Sequence, residues 1–227
     1  MDTGRLERID WGTMEYGRAL ELMRRRHAQR VAGRVGDAII CVEHPRVFTL
    51  GRDAHRENIL LSDQQMRRLG FEAYHIERRG DVFYHGPGMA TVYLVVDLRA
   101  RRIAVRALVD AVEDALVEVC RSFGVPARGD PASRGAWLGE RKVGAIGMAI
   151  RHKVTLHGAA INVNTDLDDY RYLRPCGLEA PPTSLAHYLG RRLDMAEVFD
   201  RLYHSLARNL RAAQDTLGGD KLQAALA

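Results

Sequence analysis

Hydrophobic residues along the chain alternate between helical spacing and short continuous runs. Tyr16, Leu20 and Met23 recur at helical spacing near the start. Thr13, just upstream, has a side chain that caps helix N-termini. The apolar run 38–42 then has the length and composition of a strand. The chain is therefore predicted to begin with a helix followed by a buried strand.

The next stretch contains the start and stop signals of a short helix. Ser62 and Gln65 have the spacing of a capping box, in which each side chain accepts from the other residue's backbone N–H. Gly70 is suited to the left-handed conformation that ends a helix. The stretch 71–77, FEAYHIE, follows as a predicted strand.

The second half contains a strong strand pattern and two amphipathic helices. The run 91–98 is β-branched, aromatic and aliphatic, as in a central strand. Helical spacing is shown first by Leu108, Val112, Ala115, Leu116, Val119, Cys120 and Phe123, before Gly124, and later by Phe199, Leu202, Tyr203, Leu206 and Leu210. The tail from about 218 has too little pattern to assign. The pattern predicts one α+β domain over 1–227, with a central mixed sheet flanked by helices.

A first glycine-rich segment lies between two predicted strands. His85-Gly86-Pro87-Gly88 has turn composition, and its glycines would let the backbone approach a ligand closely. Arg78, Arg79 and Tyr84 add polar groups nearby. A plain turn of the sheet and a ligand-contacting loop are both compatible with this pattern.

A second segment combines small residues with a predicted hairpin. Positions 143, 145, 147 and 149 are Val, Ala, Gly and Ala, and 158–160 is Gly-Ala-Ala. A loop at 151–153 would place Ile150 opposite Val154. The small residues either let a helix pack tightly on the sheet or form a narrow apolar slot for a straight-chain ligand.

Composition narrows the class of protein. The 227 residues are 46% hydrophobic and 28% charged, with a net charge of +5, which is typical of a globular domain. No secretory leader or membrane-spanning run is evident, so we expect a cytoplasmic protein that does not enter membranes. Of the 34 cationic residues only Lys142, Lys153 and Lys221 are lysines. Lysine, unlike arginine, can lose its proton when its surroundings lower its pKa.

The three cysteines occupy different contexts. Cys41 and Cys120 lie in apolar segments and are predicted to be small buried residues. Cys41 and His44 lack a second pair of suitable ligands, so no metal site is predicted. Cys176 lies between a proline and a glycine, outside any apolar pattern, and such a thiol becomes reactive beside a cation or a base. His85, His157 and Lys142 all remain candidates for that neighbour.

Five ordered segments carry a family resemblance. They are EHPRVFTLGR, RG-x-x-x-YHGPG, RKVGAIG, TLHGAAINVN, and PCG followed by TSL, between Glu43 and Leu185. In this order and spacing they resemble the octanoyl-acyl-carrier-protein:protein N-octanoyltransferases of lipoate biosynthesis. The resemblance implies the catalytic-domain fold of the biotin and lipoate protein ligases, with a small C-terminal subdomain.

The resemblance also implies roles for individual residues. Cys176 matches the cysteine that accepts the acyl group as a thioester, and Lys142 matches the lysine paired with it. The positions matching substrate contacts are Arg78, Arg79, Gly80, Asp81, Val82, Phe83, Tyr84, His85, Ala145, Ile146, Gly147, Gly158, Ala159 and Ala160. Arg79, Phe83 and Met89 depart from the usual glycine, threonine and glutamine, which leaves the acyl-chain preference open.

The implied reaction moves an octanoyl group from the phosphopantetheine arm of octanoyl-acyl carrier protein to a lysine of a lipoyl domain. Acceptors would be the lipoyl domains of 2-oxoacid dehydrogenases or the glycine cleavage H protein. The donor thioester is already activated, so neither ATP nor a metal is expected. A monomer without nucleic-acid or membrane partners is expected.

Four other functions remain open. An ATP-dependent lipoate or biotin ligase would share the fold, but it would need an adenylate-binding lysine or a basic phosphate loop instead of Cys176. An amidotransferase would move octanoyl or lipoyl groups between protein domains. A hydrolase pairing Cys176 with His85 or His157 would release free acid. A nucleic-acid-binding module would need interleaved basic and aromatic residues, which the chain lacks.

Overall fold

The fold consists of two β-sheets and six α-helices in the described chain. The computed structural model describes residues 6–174 and 181–216. The strands are β1 (Glu7–Thr13), β2 (Ala38–Glu43), β3 (Val47–Leu50), β4 (Glu72–His75), β5 (Val82–His85), β6 (Met89–Val95), β7 (Gly135–Leu138), β8 (Arg141–Arg151) and β9 (Val154–Asn162). The helices are α1 (Tyr16–Val31), α2 (Asp63–Leu69), α3 (Leu98–Arg101), α4 (Val105–Ser122), α5 (Leu185–Leu189) and α6 (Met195–Ala212), with 3-10 turns at Arg56–Asn58 and Leu167–Tyr172.

The larger sheet is mixed and central, as predicted. Its order is β1-β2-β6-β9-β8-β7, and β1 and β2 are parallel while the other pairs are antiparallel. Ile39 and Cys41 face a core shared with α4 and α6. Ile40 and Val42 face a second core shared with α1. Burial on both faces explains why β2 is a continuous apolar run instead of an alternating one.

A second sheet of three strands, not predicted, covers the glycine-rich end of the large sheet. Its order is β4-β3-β5, and it encloses a third core around Phe48 and Tyr84. The predicted turn 85–88 connects β5 of the small sheet to β6 of the large one. This turn therefore carries the chain between sheets, and the two strands it joins belong to different layers.

The predicted register of the β8–β9 hairpin is wrong by one residue. Arg151 pairs with Val154, so that Ile150 lies opposite Thr155 and Gly147 opposite Gly158. The loop contains only His152 and Lys153, whose φ angles are 51° and 64°. Two-residue turns with positive φ match the right-handed twist of paired strands, which explains why the shorter loop forms.

The N-terminal helix is confirmed, but its predicted cap is wrong. Thr13 is the last residue of β1, a strand that was not predicted. Glu15 occupies the cap position and its side chain makes no capping bond. Tyr16, Leu20 and Met23 are buried together, as their spacing predicted. Packing of this face, and not a cap, therefore determines where α1 lies.

The other helix signals are confirmed. Ser62 and Gln65 form the reciprocal capping box, and Gly70 ends α2 with a φ of 74°. The helix α4 stops before Gly124, whose φ is 83°. The C-terminal part, expected to form a small subdomain, contains α5 and α6, and α6 packs on α4 in the main core. The tail from about 218 lies outside the described residues.

Candidate active site

Two adjoining pockets open where the small sheet meets the β8–β9 hairpin. The outer pocket, of about 150 Å³, is lined by Val82, Phe83, Tyr84, Met89, Lys142, Val143, Gly144, Ala145, Ala160, Asn162, Tyr170, Leu173, Arg174 and Pro182. The inner pocket, of about 60 Å³, is lined by Tyr16, Ile76, Arg78, Phe83, His85, Thr91, Tyr93, Ala145, Ile146, Gly147, His157, Gly158, Ala159 and Ala160. The first is mainly apolar, and the second contains most of the polar groups.

The two pockets include most of the residues singled out in the sequence. Lys142, Val82 and Tyr84 line the outer pocket only, and Arg78, His85, Ile146, Gly147, Gly158 and Ala159 line the inner pocket only. Phe83, Ala145 and Ala160 line both. Arg79, Gly80 and Asp81 line neither pocket. The loop that contains these three residues makes a contact away from the pockets, in which Gly80 N donates to Asp53 Oδ2 at 3.0 Å.

Lys142 lies at an irregular point of the β7–β8 pair. It pairs with Trp137, and the register shifts between Ala136 and Trp137. Gly135, with a φ of 143°, makes room for the lysine, because a Cβ there would lie 2.8 Å from Lys142 Cε and 2.4 Å from the Gly144 oxygen. The bulge and the missing side chain together let Lys142 reach the pocket.

Among the described residues, the Lys142 ammonium has one side-chain hydrogen-bond partner. Its Nζ donates to Ser133 Oγ at 3.3 Å and lies 4.9 Å from the centre of the Trp137 ring. Burial lowers the pKa of Lys142, while the negative charges of Asp130 and Glu113 partly oppose that shift. This amine is therefore easier to deprotonate than an exposed lysine.

The loop that carries Ser133 is fixed by a buried carboxylate. Glu113 accepts from Gly135 N at 2.8 Å and from the Arg134 guanidinium at 2.8 Å. Trp137 Nε1 donates to the Ser133 carbonyl at 2.8 Å. The sequence analysis missed Ser133, Trp137 and Glu113, because no motif marks them and a strand bulge brings them to the lysine.

The predicted catalytic Cys176 lies outside the described residues. Of the described residues near its segment, Arg174, just before it, and Pro182, the second residue after it, line the outer pocket. Pro182 forms a bridge with Lys142, and Thr183 N donates to the Lys142 carbonyl at 3.1 Å. Arg174 N donates to the Asn58 carbonyl at 2.8 Å. Arg174, Pro182 and Thr183 are thus fixed by backbone contacts, and the first two line the pocket that contains Lys142.

The inner pocket borders a cluster of neutral histidines. His44 Nδ1 donates to the Met14 carbonyl at 2.8 Å, so its Nε2 accepts from the Tyr93 hydroxyl at 2.7 Å. Burial lowers the pKa of His44 to about 4. Burial also lowers the pKa of His85 well below its usual value, helped by nearby His44 and Arg78.

His157, which lines this pocket, has one buried ring nitrogen bonded and the other unpaired among the described residues. Its Nε2 lies 3.1 Å from Glu77 Oε2, and this hydrogen bond is the main reason that the pKa of Glu77 is lowered. Burial lowers the pKa of His157 despite Glu77, so the neutral ring donates through Nε2. Its Nδ1 is buried and has no hydrogen-bond partner among the described residues.

The small residues of β8 were predicted either to let a helix pack tightly on the sheet or to form a slot for a ligand. The structure shows small residues of this strand in both situations, on opposite faces. A Cβ at Gly147 would lie 2.9 Å from Arg78 Cδ, so this glycine makes room for the buried arginine. Ala145, two residues earlier, faces the pockets. Gly144, on the opposite face, lies close to Leu116 of α4. Small residues therefore favour helix packing on one face and form a pocket wall on the other.

The remaining cysteines are buried, as predicted. Burial raises the pKa of Cys41 and of Cys120 to about 12, which makes both thiols poor nucleophiles. Within 6–174 and 181–216, no group of three or more His, Cys, Asp or Glu residues is arranged to hold a metal ion. No helix in these same ranges is long and apolar enough to cross a membrane.

Comparison with known proteins assigns the family. The model of the lipoyl protein ligase A/B catalytic domain matches residues 15–207. An octanoyltransferase of Solibacter usitatus is 42% identical over 197 residues, covering 87% of this chain and 89% of that protein. An octanoyltransferase of Bacteroides fragilis is 42% identical over 186 residues, covering 79% and 84%.

A solved structure shows the same fold. The crystal structure of lipoate-protein ligase A bound with ATP matches with a TM-score of 0.74 at 18% identity, covering 91% of this chain and 85% of that chain. The predicted ligase-type fold is thereby confirmed. With the family model and the two relatives, it follows that this chain belongs to the lipoyl protein ligase A/B catalytic domain family, in its octanoyltransferase group.

Proposed function

We propose that the protein is an acyltransferase that moves an octanoyl group from octanoyl-acyl carrier protein to a lysine of a lipoyl domain, through a thioester on Cys176. The relatives named octanoyltransferases support octanoyl transfer in protein lipoylation. The donor, the thioester and the acceptor lysine are the parts that this proposal adds.

One observation supports the proposal most directly. Lys142, with a lowered pKa, lines an apolar pocket that Arg174 and Pro182, two described residues close in sequence to Cys176, also line. Two residues of extended chain span at most about 7 Å. Cys176 follows Arg174 by two residues in the sequence, and this short spacing supports a reaction of its thiol at the pocket that contains the lysine.

The first half-reaction loads the enzyme. The Cys176 thiolate, favoured by the nearby ammonium of Lys142, attacks the thioester carbonyl carbon of the donor. The bond from that carbon to the phosphopantetheine sulfur breaks. The departing thiolate takes a proton from Lys142, which leaves an acyl-cysteine and a neutral lysine amine.

The second half-reaction uses the neutral Lys142. The amine of the acceptor lysine attacks the acyl-cysteine carbon, and the carbon–sulfur bond breaks to restore the Cys176 thiolate. Lys142 accepts the proton that the attacking amine loses. The product is an amide, and the charged lysine and thiolate are both regenerated. No ATP, metal or other cofactor enters this cycle.

The apolar outer pocket suits the acyl chain. Its walls include Met89, Val143 and Leu173. Each methylene removed from water contributes about 0.8 kcal/mol to binding. The outer pocket therefore favours a medium-length chain over a short one.

The experiment is acyl transfer followed by intact-mass measurement, with and without ATP. Incubated with octanoyl-acyl carrier protein alone, the protein is expected to gain one octanoyl group, and Cys176→Ser is expected to lose that thioester. Adding a lipoyl domain should transfer the group without ATP. Labelling of Cys41 or Cys120, or transfer that requires ATP and free octanoate, would contradict the proposal.

A further inference from the structure

We propose that Asn162 is a further catalytic residue, whose side-chain amide donates a hydrogen bond to the oxyanion formed when the acyl carbonyl is attacked. The inference rests on the function proposed above and deepens it, because it assigns an oxyanion donor at the same site. Each attack on the carbonyl carbon moves an electron pair onto the oxygen, and collapse of the intermediate returns that pair. A fixed donor aimed at this oxygen lowers the barrier of both half-reactions.

Asn162 and Lys142 lie towards the same end of the paired strands β8 and β9. Ala145 pairs with Ala160 where the two pockets meet, and both alanines line both pockets. From this pair, Asn162 is two residues further along β9 and Lys142 is three residues back along β8, and the strands are antiparallel. Asn162 and Lys142 both line the outer pocket, and neither lines the inner one. The amide and the proposed base therefore share one pocket.

The orientation of the amide is set by a tyrosine. The Tyr170 hydroxyl donates to Asn162 Oδ1 at 3.0 Å. A partly buried phenol needs an acceptor for its proton, and within the described chain this oxygen is the acceptor that Tyr170 has. Turning the amide over would replace that acceptor with a donor. The oxygen of Asn162 therefore points at Tyr170, and its NH2 group is left for another partner.

The Nδ2 atom of Asn162 is available to a ligand. Asn162 is only 6% exposed, and its Nδ2 has no hydrogen-bond partner among residues 6–174 and 181–216. This nitrogen is nevertheless not one of the unpaired side-chain atoms that are fully buried in those ranges. Because the side chain lines the outer pocket, Nδ2 reaches that pocket. A donor in a mainly apolar pocket bonds a charged oxygen more strongly than it would in water.

The tyrosine is itself fixed by its turn. Tyr170 belongs to the 3-10 turn Leu167–Tyr172, in which Asp169 accepts from the Tyr84 hydroxyl at 2.7 Å and from Arg46 Nε at 2.8 Å. The rings of Tyr84 and Tyr170 pack edge to face, with centroids 5.2 Å apart. Since the Tyr84 hydroxyl donates to Asp169, it does not compete for the amide oxygen. Tyr170 is therefore a positioning residue for Asn162.

Single-turnover acyl loading measures the contribution of the amide. Loading of Cys176 from the octanoyl thioester of N-acetylcysteamine is followed by intact mass. In Asn162→Ala the maximum loading rate should fall about 10²-fold, with the half-saturating concentration within about threefold of wild type. Asn162→Asp keeps an acceptor for Tyr170 but replaces the donor with a charged oxygen, so its loss should be larger. Asn209→Ala, which removes an amide that lines neither pocket, should stay within about twofold.

An aldehyde separates oxyanion stabilisation from binding of the chain. Octanal adds to the Cys176 thiol, so that a carbon–sulfur bond forms, the carbonyl π bond breaks and the thiol proton moves to the oxygen. That oxygen occupies the oxyanion position, whereas 1-octanol binds without this addition. In Asn162→Ala, inhibition by octanal should weaken about tenfold and inhibition by octanol less than about twofold. Tyr170→Phe should weaken octanal about threefold, and Tyr172→Phe, in the same turn but lining neither pocket, should not.

The outcomes separate this inference from the proposed function. Loading within about threefold of wild type in both Asn162 variants, equal weakening of octanal and octanol, or octanal inhibition that Cys176→Ser retains would overturn the inference. Circular dichroism monitors folding, and if neither Asn162 variant folds, unchanged octanal inhibition in Tyr170→Phe overturns it. Octanal inhibition that depends on Asn162, in a protein that accepts no acyl group from octanoyl-acyl carrier protein, supports the inference and refutes the transferase proposal. Normal transfer by Asn162→Ala does the reverse.

Discussion

The outer and inner pockets share three residues, but burial has different consequences for the amine at the outer pocket and for the imidazoles around the inner one. Burial lowers the pKa of Lys142 in the outer pocket and of His44, His85 and His157 around the inner one. Lysine starts near 10.5, so this shift brings its proton loss closer to neutral pH. Histidine starts near 6.5, so the same shift takes its titration out of the neutral range.

The difference teaches that one physical cause, desolvation, makes the lysine of one pocket easier to deprotonate and keeps the histidines of the other neutral. A group that exchanges a proton during turnover needs both charge states within reach. The lowered pKa moves Lys142 toward this condition, and Lys142 lines the same pocket as Arg174 and Pro182. The neutral histidines instead add no charge beside Arg78, and Tyr93 and Thr91 are the hydrogen-bond partners of His44 and His85.

The largest effect should come from Lys142→Arg. The guanidinium keeps the positive charge that favours a thiolate, but it does not release its proton. We expect acyl loading of Cys176 to fall moderately and transfer to the lipoyl domain to fall by about 10²-fold or more. Single-turnover measurements of the loading and transfer steps check this difference.

Lys153→Arg is the matched control. Lys153 lies in the two-residue turn of the β8–β9 hairpin and lines neither pocket. Both steps should stay within about twofold of wild type. Equal retention of both steps in Lys142→Arg would show that the lysine is not the base.

The sequence predicts well what depends on local pattern. The capping box at Ser62, the end of α4 before Gly124 and the buried face of α1 are all confirmed, because each depends on spacing within a few residues. Lys142 and His85 were identified as candidates and do line the pockets. The role of Cys176 stays a prediction.

What the sequence did not predict depends on pairing between distant segments. The separation of β5 and β6 into different sheets follows from tertiary packing, and neither strand pattern signals it. The hairpin register depended on a turn one residue shorter than expected. Ser133 reaches Lys142 only because β7 bulges at Trp137, and a bulge carries no sequence signal of its own here.

The second-largest predicted effect is the pH dependence of stability, which comes from the histidines around the inner pocket. The buried histidines have lower pKa values folded than unfolded, so the unfolded state binds more protons below about pH 6.5. Stability is therefore highest above that pH and falls as pH decreases. Each histidine should contribute up to about 1.4 kcal/mol per pH unit. Urea unfolding between pH 7 and 5 measures the slope.

Two variants of one contact separate titration from packing. His85→Asn removes a titrating group. The slope of the free energy of unfolding against pH should therefore fall by the equivalent of up to about one bound proton, whether or not the substitution also lowers stability. Thr91→Val removes the hydrogen bond to His85 but keeps the histidine, so the protein should become less stable with the slope retained. Measurements stay above pH 5, because the lowered pKa of Glu77 affects stability only at lower pH. A flat profile in the wild type would show that these histidines are not held neutral.

The smallest effect should come from Ser133→Ala in the outer pocket. The hydroxyl accepts from Lys142 Nζ at 3.3 Å, and a charged ammonium gains more from an acceptor than a neutral amine does. Losing it should lower the pKa of Lys142 further, by less than one unit. The acidic limb of the pH–rate profile for the transfer step should move to lower pH, with a rate change below about tenfold. Ser122→Ala, whose hydroxyl donates within α4 to Val119, should leave the profile unchanged. A shift to higher pH would contradict this prediction, because it would mean that Ser133 favours the neutral amine.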